Sequence, residues 1–502
     1  MYGTFWALLP PIVAIALALI TKEVYSSLFI GIIVGGVLYA GNFEGTMNHI
    51  FSEGLIAQLS DAYNVGILLF LVFLGIIVAL MNKAGGSKAF GEWAAAHIKT
   101  RIGAQLATVL LGCLIFIDDY FNCLTVGSVM RPVTDRHNVS RAKLAFLIDA
   151  TAAPICIIAP ISSWAAAVSG FAPEGTNGMW LFIQAIPYNY YALLMILMVV
   201  GLSVTKVDFG PMAKFEANAK AGDIFSGKNA AASDVDENAI GKGTVADLVI
   251  PVIILIIACV IGMIYSGGFF SGENFVDAFA NSDASVGLVL GSFAAMVITI
   301  FLYLVRRVLA FKDCMACITE GFKAMVPAIC ILALAWTLKG VTDSLGAADY
   351  VAGIVENSAG SFLNFLPAIV FVIACFLAFA TGTSWGTFGI LIPICLHVFP
   401  LESGNSLAII CVSACMAGAV CGDHCSPISD TTIMSSAGAQ CDHMDHVSTQ
   451  LPYAITAALV SFAAYIVAGF VRNAAVSLLI AVILMIVVVI AMRYALRQTE
   501  KN

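Results

Sequence analysis

Apolar runs of about 16 to 20 residues, broken by short polar segments, follow one another along the whole chain. About twenty apolar residues in a helix cross the hydrocarbon core of a bilayer. The pattern therefore predicts an all-α polytopic membrane protein with about eleven transmembrane helices, at approximately 5–20, 27–41, 64–82, 142–170, 189–204, 244–266, 286–305, 325–342, 406–437, 452–470 and 474–492. Two further stretches, 102–136 and 361–399, each carry two apolar arms around a polar tip. The first tip is Asp118-Asp119-Tyr120-Phe121-Asn122; the second is Thr381-Gly382-Thr383-Ser384-Trp385-Gly386-Thr387. As complete spans these arms would carry their most polar residues into hydrocarbon. The expectation is two re-entrant helical hairpins whose tips meet protein near the middle of the membrane.

Two of the spans are predicted to be discontinuous. In 406–437 an apolar run leads into Gly422-Asp423-His424-Cys425-Ser426-Pro427-Ile428-Ser429-Asp430-Thr431-Thr432, at the depth where a membrane helix is normally most apolar. An ionisable group at the bilayer centre costs roughly 2.5–3.5 kcal/mol on insertion scales, so such a stretch reads as a binding site. In 142–170, Pro154 and Pro160 each remove a backbone donor and disrupt the helix. The carbonyls so freed need partners.

Charge placement supports one topology. With Met1 outside and each hairpin returning to its own side, 21 of the 23 Lys and Arg fall in inner segments, while the outer loops 42–63, 267–285 and 343–360 carry acids and no Lys or Arg. That is the expected bias of cytoplasmic loops. It predicts an outer N-terminus and a cytoplasmic C-terminus in the inner (plasma) membrane, and it fixes orientation better than hairpin depth. Thr21-Lys22-Glu23 after Leu8–Ile20 provides no small-residue cleavage site, so a cleaved signal peptide is not expected. Glu53-Gly54 recurs as Glu320-Gly321, Pro132 corresponds to Pro393, and Pro160-Ile161-Ser162 recurs as Pro427-Ile428-Ser429. An odd number of crossings separates the copies, which predicts inverted repeats, a pointer to secondary transporters. The expected organisation is a first half 1–204, a cytoplasmic linker 205–243, a second half 244–470 and an extra C-terminal helix and tail 471–502.

Composition narrows the function. The chain is 61% hydrophobic and 11% charged, with a net charge of −8 spread over loops. No basic patch suits nucleic acid, and no GxxxxGK[ST] loop suggests a built-in ATPase. Fourteen cysteines lie mostly singly in apolar segments and read as reduced core residues; the spacing of Cys421, Cys425 and Cys441 with His424, His443 and His446 fits no standard zinc pattern. No nucleophile–base pair is evident, so an enzyme is not expected, nor is a cofactor.

Four elements should converge: the two tips and the two breaks. Their acids are Asp118, Asp119, Asp149, Asp423 and Asp430, with Asn122, Pro160, Ser162, Ser163, Thr381, Thr383, Ser384, His424, Ser426, Ser429 and Thr431 around them, and no Lys or Arg among them. Acids, hydroxyls and carbonyls suit a hard cation, so Na+ is the expected coupling or transported ion, held by Asp423, Ser429, Asp430 and Thr383. Each acid has a rival reading. Asp118 and Asp119 suit helix caps, and Asp149 suits an ion pair with Arg141 or Lys143. His424 reads equally as a packed neutral side chain. His443 and His446 read as a hydrated helix face, and Lys339 as an interfacial cation beside Asp343.

The 422–432 stretch closely resembles the hallmark of the NhaC family of Na+/H+ antiporters, and the two tips are similar to its other motifs. The resemblance covers roughly 60–495. It implies an ion transporter superfamily fold, a homodimer of scaffold and transport domains in the lipid bilayer, and an elevator-like movement. It also implies that related members exchange malate for lactate or move amino acids with Na+. The chain is thus expected to be a secondary active transporter, a Na+/H+ antiporter in which Na+ and H+ compete at buried aspartates. The alternative is a Na+-coupled transporter or exchanger of a small organic solute (amino acid, amine, or an organic acid such as malate or lactate). A passive channel is disfavoured, since a pore needs no pair of inverted halves.

Overall fold

The computed structural model describes residues 2–21, 23–116, 119–160, 162, 164–165, 168, 178–227, 243–347, 349–350, 353, 363–399 and 406–499. Every regular element among them is a helix. Those that position the site are α1 (Val24–Ala40), α2 (Ala62–Ala84), α3 (Arg101–Leu114), α4 (Asp119–Arg136), α5 (Arg141–Asp149), α6 (Tyr190–Thr205), α7 (Pro211–Lys220), α8 (Ala246–Ser266), α9 (Ala284–Val305), α10 (Phe311–Ser344), α11 (Leu366–Thr381), α12 (Ser384–Val398), α13 (Ser406–Cys425), α14 (Asp430–Ala439), α15 (His443–Val471) and α16 (Ala474–Thr499). Short polar side chains start many of them: Asp61 caps α2, Thr100 caps α3, Ser140 caps α5, Ser429 caps α14 and Asp442 caps α15, each accepting a backbone N–H of the first turn.

Among the described residues seven helices are long and apolar enough to cross a membrane, and nine if each of two bent pairs is one span. The chain is therefore an all-helical, multi-pass membrane protein. The eleven expected spans include shorter helices, Phe5–Ala18 and Val24–Ala40, which fall below that length. The expected span 325–342 is the second part of the 34-residue α10, because its charged lead-in from Phe311 is helical too.

Exposed Ile253, Ile257 and Ile261 on α8, Phe293, Val297 and Phe301 on α9, and Leu479, Ile483 and Val487 on α16 give these helices an apolar face that water would not tolerate and lipid would. By contrast 89% of the spanning window of α13 is buried inside the protein, against 22% for α16. Among the seven, the helix with the lowest mean hydropathy, 1.8, is thus the one most enclosed by other helices. The interior divides into two apolar clusters. One includes α6, α11, α13 and α15; the other includes α2, α4, α8 and α10. Phe146 and Leu147 of α5 belong to the first, Leu144 and Ile148 to the second. The gap between α13 and α14 carries the chain from one cluster to the other, since Cys421 packs in the first and Ile428 in the second.

The stretch 205–243 is not simply a solvated loop in its described part. It contains α7, whose Glu216 is buried, ion-paired with Arg101 and accepting a hydrogen bond from the Ser140 N–H at 2.9 Å. Asp208 pairs with Lys143 at 3.0 Å. Residues 228–242 lie outside the described residues.

Candidate ion and solute site

The break between α13 and α14 is built by local chemistry. Pro427 cannot donate to a helical bond, and the Ser426 N–H turns back to the Asp423 carbonyl at 2.9 Å. The Ser426 hydroxyl donates to the Phe379 carbonyl at 2.8 Å, tying the break to α11. Ser429 starts α14 and its hydroxyl lies 3.0 Å from that of Thr431. The turn between α11 and α12 rests on this break. Gly382 has φ of 67°, and a Cβ there would stand 2.6 Å from the Ile428 carbonyl oxygen, so only glycine fits.

Ser384, the first residue of α12, donates to Asp423 Oδ2 at 2.9 Å. Asp423 is buried, and its Oδ1 has no hydrogen-bond partner among the described residues. The start of α4 reaches the same break from another side, with the Tyr120 hydroxyl donating to Asp430 Oδ2 at 2.8 Å. Asn122, fully buried, donates to the carbonyls of Gly112, Ile115 and Thr151 at 2.7, 2.6 and 3.0 Å. It thereby satisfies backbone acceptors that the breaks after α3 and α5 expose.

Asp149, the last residue of α5, sits at the hub of a second buried group. Its Oδ2 accepts from Gln450 Nε2 at 2.7 Å, from His446 Nε2 at 3.2 Å and from the Thr432 hydroxyl at 3.2 Å. His424 Nε2 is 3.8 Å away, while His424 Nδ1 meets the Tyr191 hydroxyl at 2.7 Å. Thr432 also lies 3.4 Å from the Asp423 carbonyl, so one residue joins the two carboxylate neighbourhoods. Asp149 Oδ1, like Asp423 Oδ1, has no partner among the described residues. Neither acid forms an ion pair with Lys or Arg among the described residues. Buried charges are normally paired or bound to a cation.

A cavity of about 680 Å³ adjoins the break at Ile428 and Asp430. Asp430, Thr381, Thr383, Trp336, Trp385 and Lys339 line it together with Asp61 and Asp283. Among the described residues Lys339 is its one lining Lys or Arg, and it pairs with Asp343 at 2.7 Å, as expected.

The expected residues are thus gathered unevenly. Thr381, Thr383, Ser384, Asp423, His424, Ser426, Ser429, Asp430 and Thr431 lie in or against the break, Asp149 joins them through Thr432, and Asn122 instead holds the chain ends after α3 and α5. The four residues expected to hold Na+ do not line one surface: Thr383 and Asp430 face the cavity, whereas Asp423 and Ser429 are buried. Asp119 is buried next to Tyr120. Ser162 is absorbed in local capping, bonded to the Cys156 and Ala159 carbonyls and the Ala165 N–H, and Pro160 is exposed. That segment touches the second turn through Trp164, whose ring centroid is 5.5 Å from that of Trp385. Asp118 and Ser163 lie outside the described residues.

Two readings are corrected. Asp149 pairs with neither Arg141 nor Lys143, which bind Asp135 and Asp208 instead. His446 is fully buried against Asp149, and His443 bonds the Pro427 carbonyl at 2.7 Å and the Ser436 hydroxyl at 3.2 Å. They are not a hydrated face, because the Asp442 cap turns the first coil of α15 inward over the break. Tyr191, Gln450 and Thr432 were not expected as partners. His446 and Gln450 do stand four apart and so share one helix face, which is a legible signal.

A multi-pass helical bundle with acids enclosed at helix breaks beside a cavity of about 680 Å³ has the form of a secondary transporter. The comparisons name the family: the model of the Na+/H+ antiporter family matches residues 155–470, and the chain belongs to that family. A Haemophilus influenzae relative named only as an uncharacterized protein is 37% identical across 98% of this chain and 96% of its own length. The malate-2H+/Na+-lactate antiporter of Bacillus subtilis is 28% identical over 36% of this chain and 42% of that protein. The arginine/ornithine antiporter of Halobacterium salinarum is 36% identical over 21% of this chain and 23% of that protein. These relatives are transporters where their names state a role, and this chain is not an enzyme.

Proposed function

We propose that the protein exchanges Na+ for H+, with both ions competing for Asp423 and Asp430 and with Asp149 coupled to them through Thr432. The observation that carries the reading is the enclosure of Asp423 and Asp149 without a Lys or Arg partner among the described residues, each with a carboxylate oxygen to spare. A carboxylate in such surroundings must be neutralised by a proton or a cation. If the empty charged site cannot cross, one site filled by either ion gives exchange. The membrane field contributes about 2.3 kcal/mol per net charge per 100 mV, so the H+:Na+ ratio sets the voltage dependence.

The same reading takes 102–136 and 361–399 as re-entrant hairpins and the halves 1–204 and 244–470 as inverted repeats joined by 205–243, with 471–502 as an added helix. Pro132 and Pro393 each lying within a return helix supports this. It takes the protein as a homodimer in the plasma membrane, N-terminus outside and C-terminus cytoplasmic, moving its site in an elevator-like way.

The test is Na+-driven proton release from proteoliposomes. Asp423→Asn and Asp430→Asn should each abolish it in folded protein; normal exchange in both would remove these residues from the site. One observation favours a second reading, Na+-coupled movement of a small organic solute: the 680 Å³ cavity is far larger than a bare cation fills, and it sets Lys339 and Asp430 in one lining. The names of the Bacillus and Halobacterium relatives are in keeping with it. Labelled-solute uptake that follows a Na+ gradient would decide for this reading.

A further inference from the structure

A second polar pocket, of about 150 Å³, lies at the Lys- and Arg-rich ends of the helices, far from the acids of the breaks in chemical character. Its charged lining residues are Lys88, Arg131, Arg136, Arg141 and Asp135. The one acid among the described lining residues, Asp135, pairs with Arg141, 2.8 Å from its Nη2, and Arg141 also donates to the Ala439 carbonyl at 2.7 Å. Arg136 is exposed and reaches outward to Glu92 at 3.6 Å. Lys88 is exposed at the rim.

Arg131 differs from all of these. It is only 7% exposed, and its guanidinium has no hydrogen bond or ion pair among the described residues. It also belongs to the wall of an adjoining pocket of about 80 Å³, which shares Asn82, Ser128 and Gln440 with the first. A guanidinium does not lose its proton in a protein. A buried one whose neighbouring acid, Asp135, is already paired with Arg141 is costly. The space before it is far above the roughly 10–15 Å³ that a single water requires, yet small for anything larger than one headgroup.

We infer that Arg131, with Lys88 at the rim, forms an oxyanion site that takes one phosphate-type group. The planar fork of Arg suits such a group through two parallel hydrogen bonds. The group can come from free phosphate or from the headgroup of an anionic lipid, since basic pockets between membrane helices hold such headgroups. The site stands independently of the Na+/H+ reading.

The test is the thermal midpoint of the purified full-length protein. One arm adds inorganic phosphate against chloride at matched ionic strength in detergent. The other compares nanodiscs of phosphatidylcholine with and without phosphatidylglycerol. Wild type should be stabilised in at least one arm: a phosphate response assigns the free ion, and a response to phosphatidylglycerol alone assigns the lipid. Arg131→Gln should weaken that response at least about tenfold in concentration, the loss of one charge-assisted interaction, without lowering the midpoint measured in its absence. Arg131→Lys, which keeps the charge but not the fork, and Lys88→Gln at the exposed rim keep the test open should Arg131→Gln not fold; both should also need more phosphate or more phosphatidylglycerol than wild type. Wild type unresponsive in both arms, or variants titrating like wild type, would overturn the inference.

Discussion

Replacing Ser384 by alanine probes the ion site with the least disturbance. The change removes one oxygen from a fully buried position and with it the hydrogen bond to Asp423 Oδ2 at 2.9 Å. A hydrogen bond to a charged group contributes about 1.5–3 kcal/mol, against about 0.5–1.5 for a neutral pair. The Na+-bound, ionised carboxylate therefore loses about 1–1.5 kcal/mol more than the protonated one. Since 1.4 kcal/mol is about tenfold, the half-saturating Na+ concentration at fixed pH should rise about tenfold. The maximal rate should stay within about twofold, as expected when only binding is affected. The assay is a Na+ jump on proteoliposomes loaded with a pH-sensitive dye, repeated at several pH values, with the thermal midpoint as a control for folding. An unchanged half-saturating Na+ in folded Ser384→Ala would refute the assignment of Asp423 to the exchange site.

Packing and charge give further outcomes. A Cβ on Gly422 would lie 2.1 Å from the Cys375 carbonyl oxygen, so Gly422→Ala must part α13 from α11 and should destabilise by at least about 1–3 kcal/mol. Gly386→Ala, which meets the Thr383 methyl at 3.3 Å, should leave the thermal midpoint near wild type. Arg101→Ala strands the buried Glu216 and should cost about 3 kcal/mol, seen as a lowered midpoint in detergent; adding Glu216→Gln should recover much of it. Lys339→Gln should leave Na+/H+ exchange intact if the cargo is only the ion, and should abolish labelled-solute uptake if the cavity takes a carboxylate.

Much of this was legible in the chain. Pro427 between Ser426 and Ser429, set in an apolar run, marked a helix break at mid-depth, and the structure ends α13 at Cys425 and restarts at Asp430. The Gly-rich second turn announced close backbone approach, and Gly382 does abut Ile428. The partners of Asp149 were less visible, because His424, His446, Gln450 and Thr432 come from helices nearly 300 residues further on. Nothing in periodicity links a residue to so distant a neighbour. Asp442, His443, Asp445 and His446 look like a wet surface when read in order, yet one turn of helix sends His446 inward. An apolar window starts the span only at 325, whereas the helix begins at Phe311, since Lys, Glu and Ala are good helix formers whatever their solvation.

The central claim is that Na+ and H+ displace one another from the same buried carboxylates. Titrating Na+ into the purified protein by calorimetry, in buffers of different ionisation enthalpy, counts the protons released per ion bound. Wild type should release protons as Na+ binds, and the release should disappear in Asp423→Asn. Saturable Na+ binding by wild type without any proton release would contradict the account.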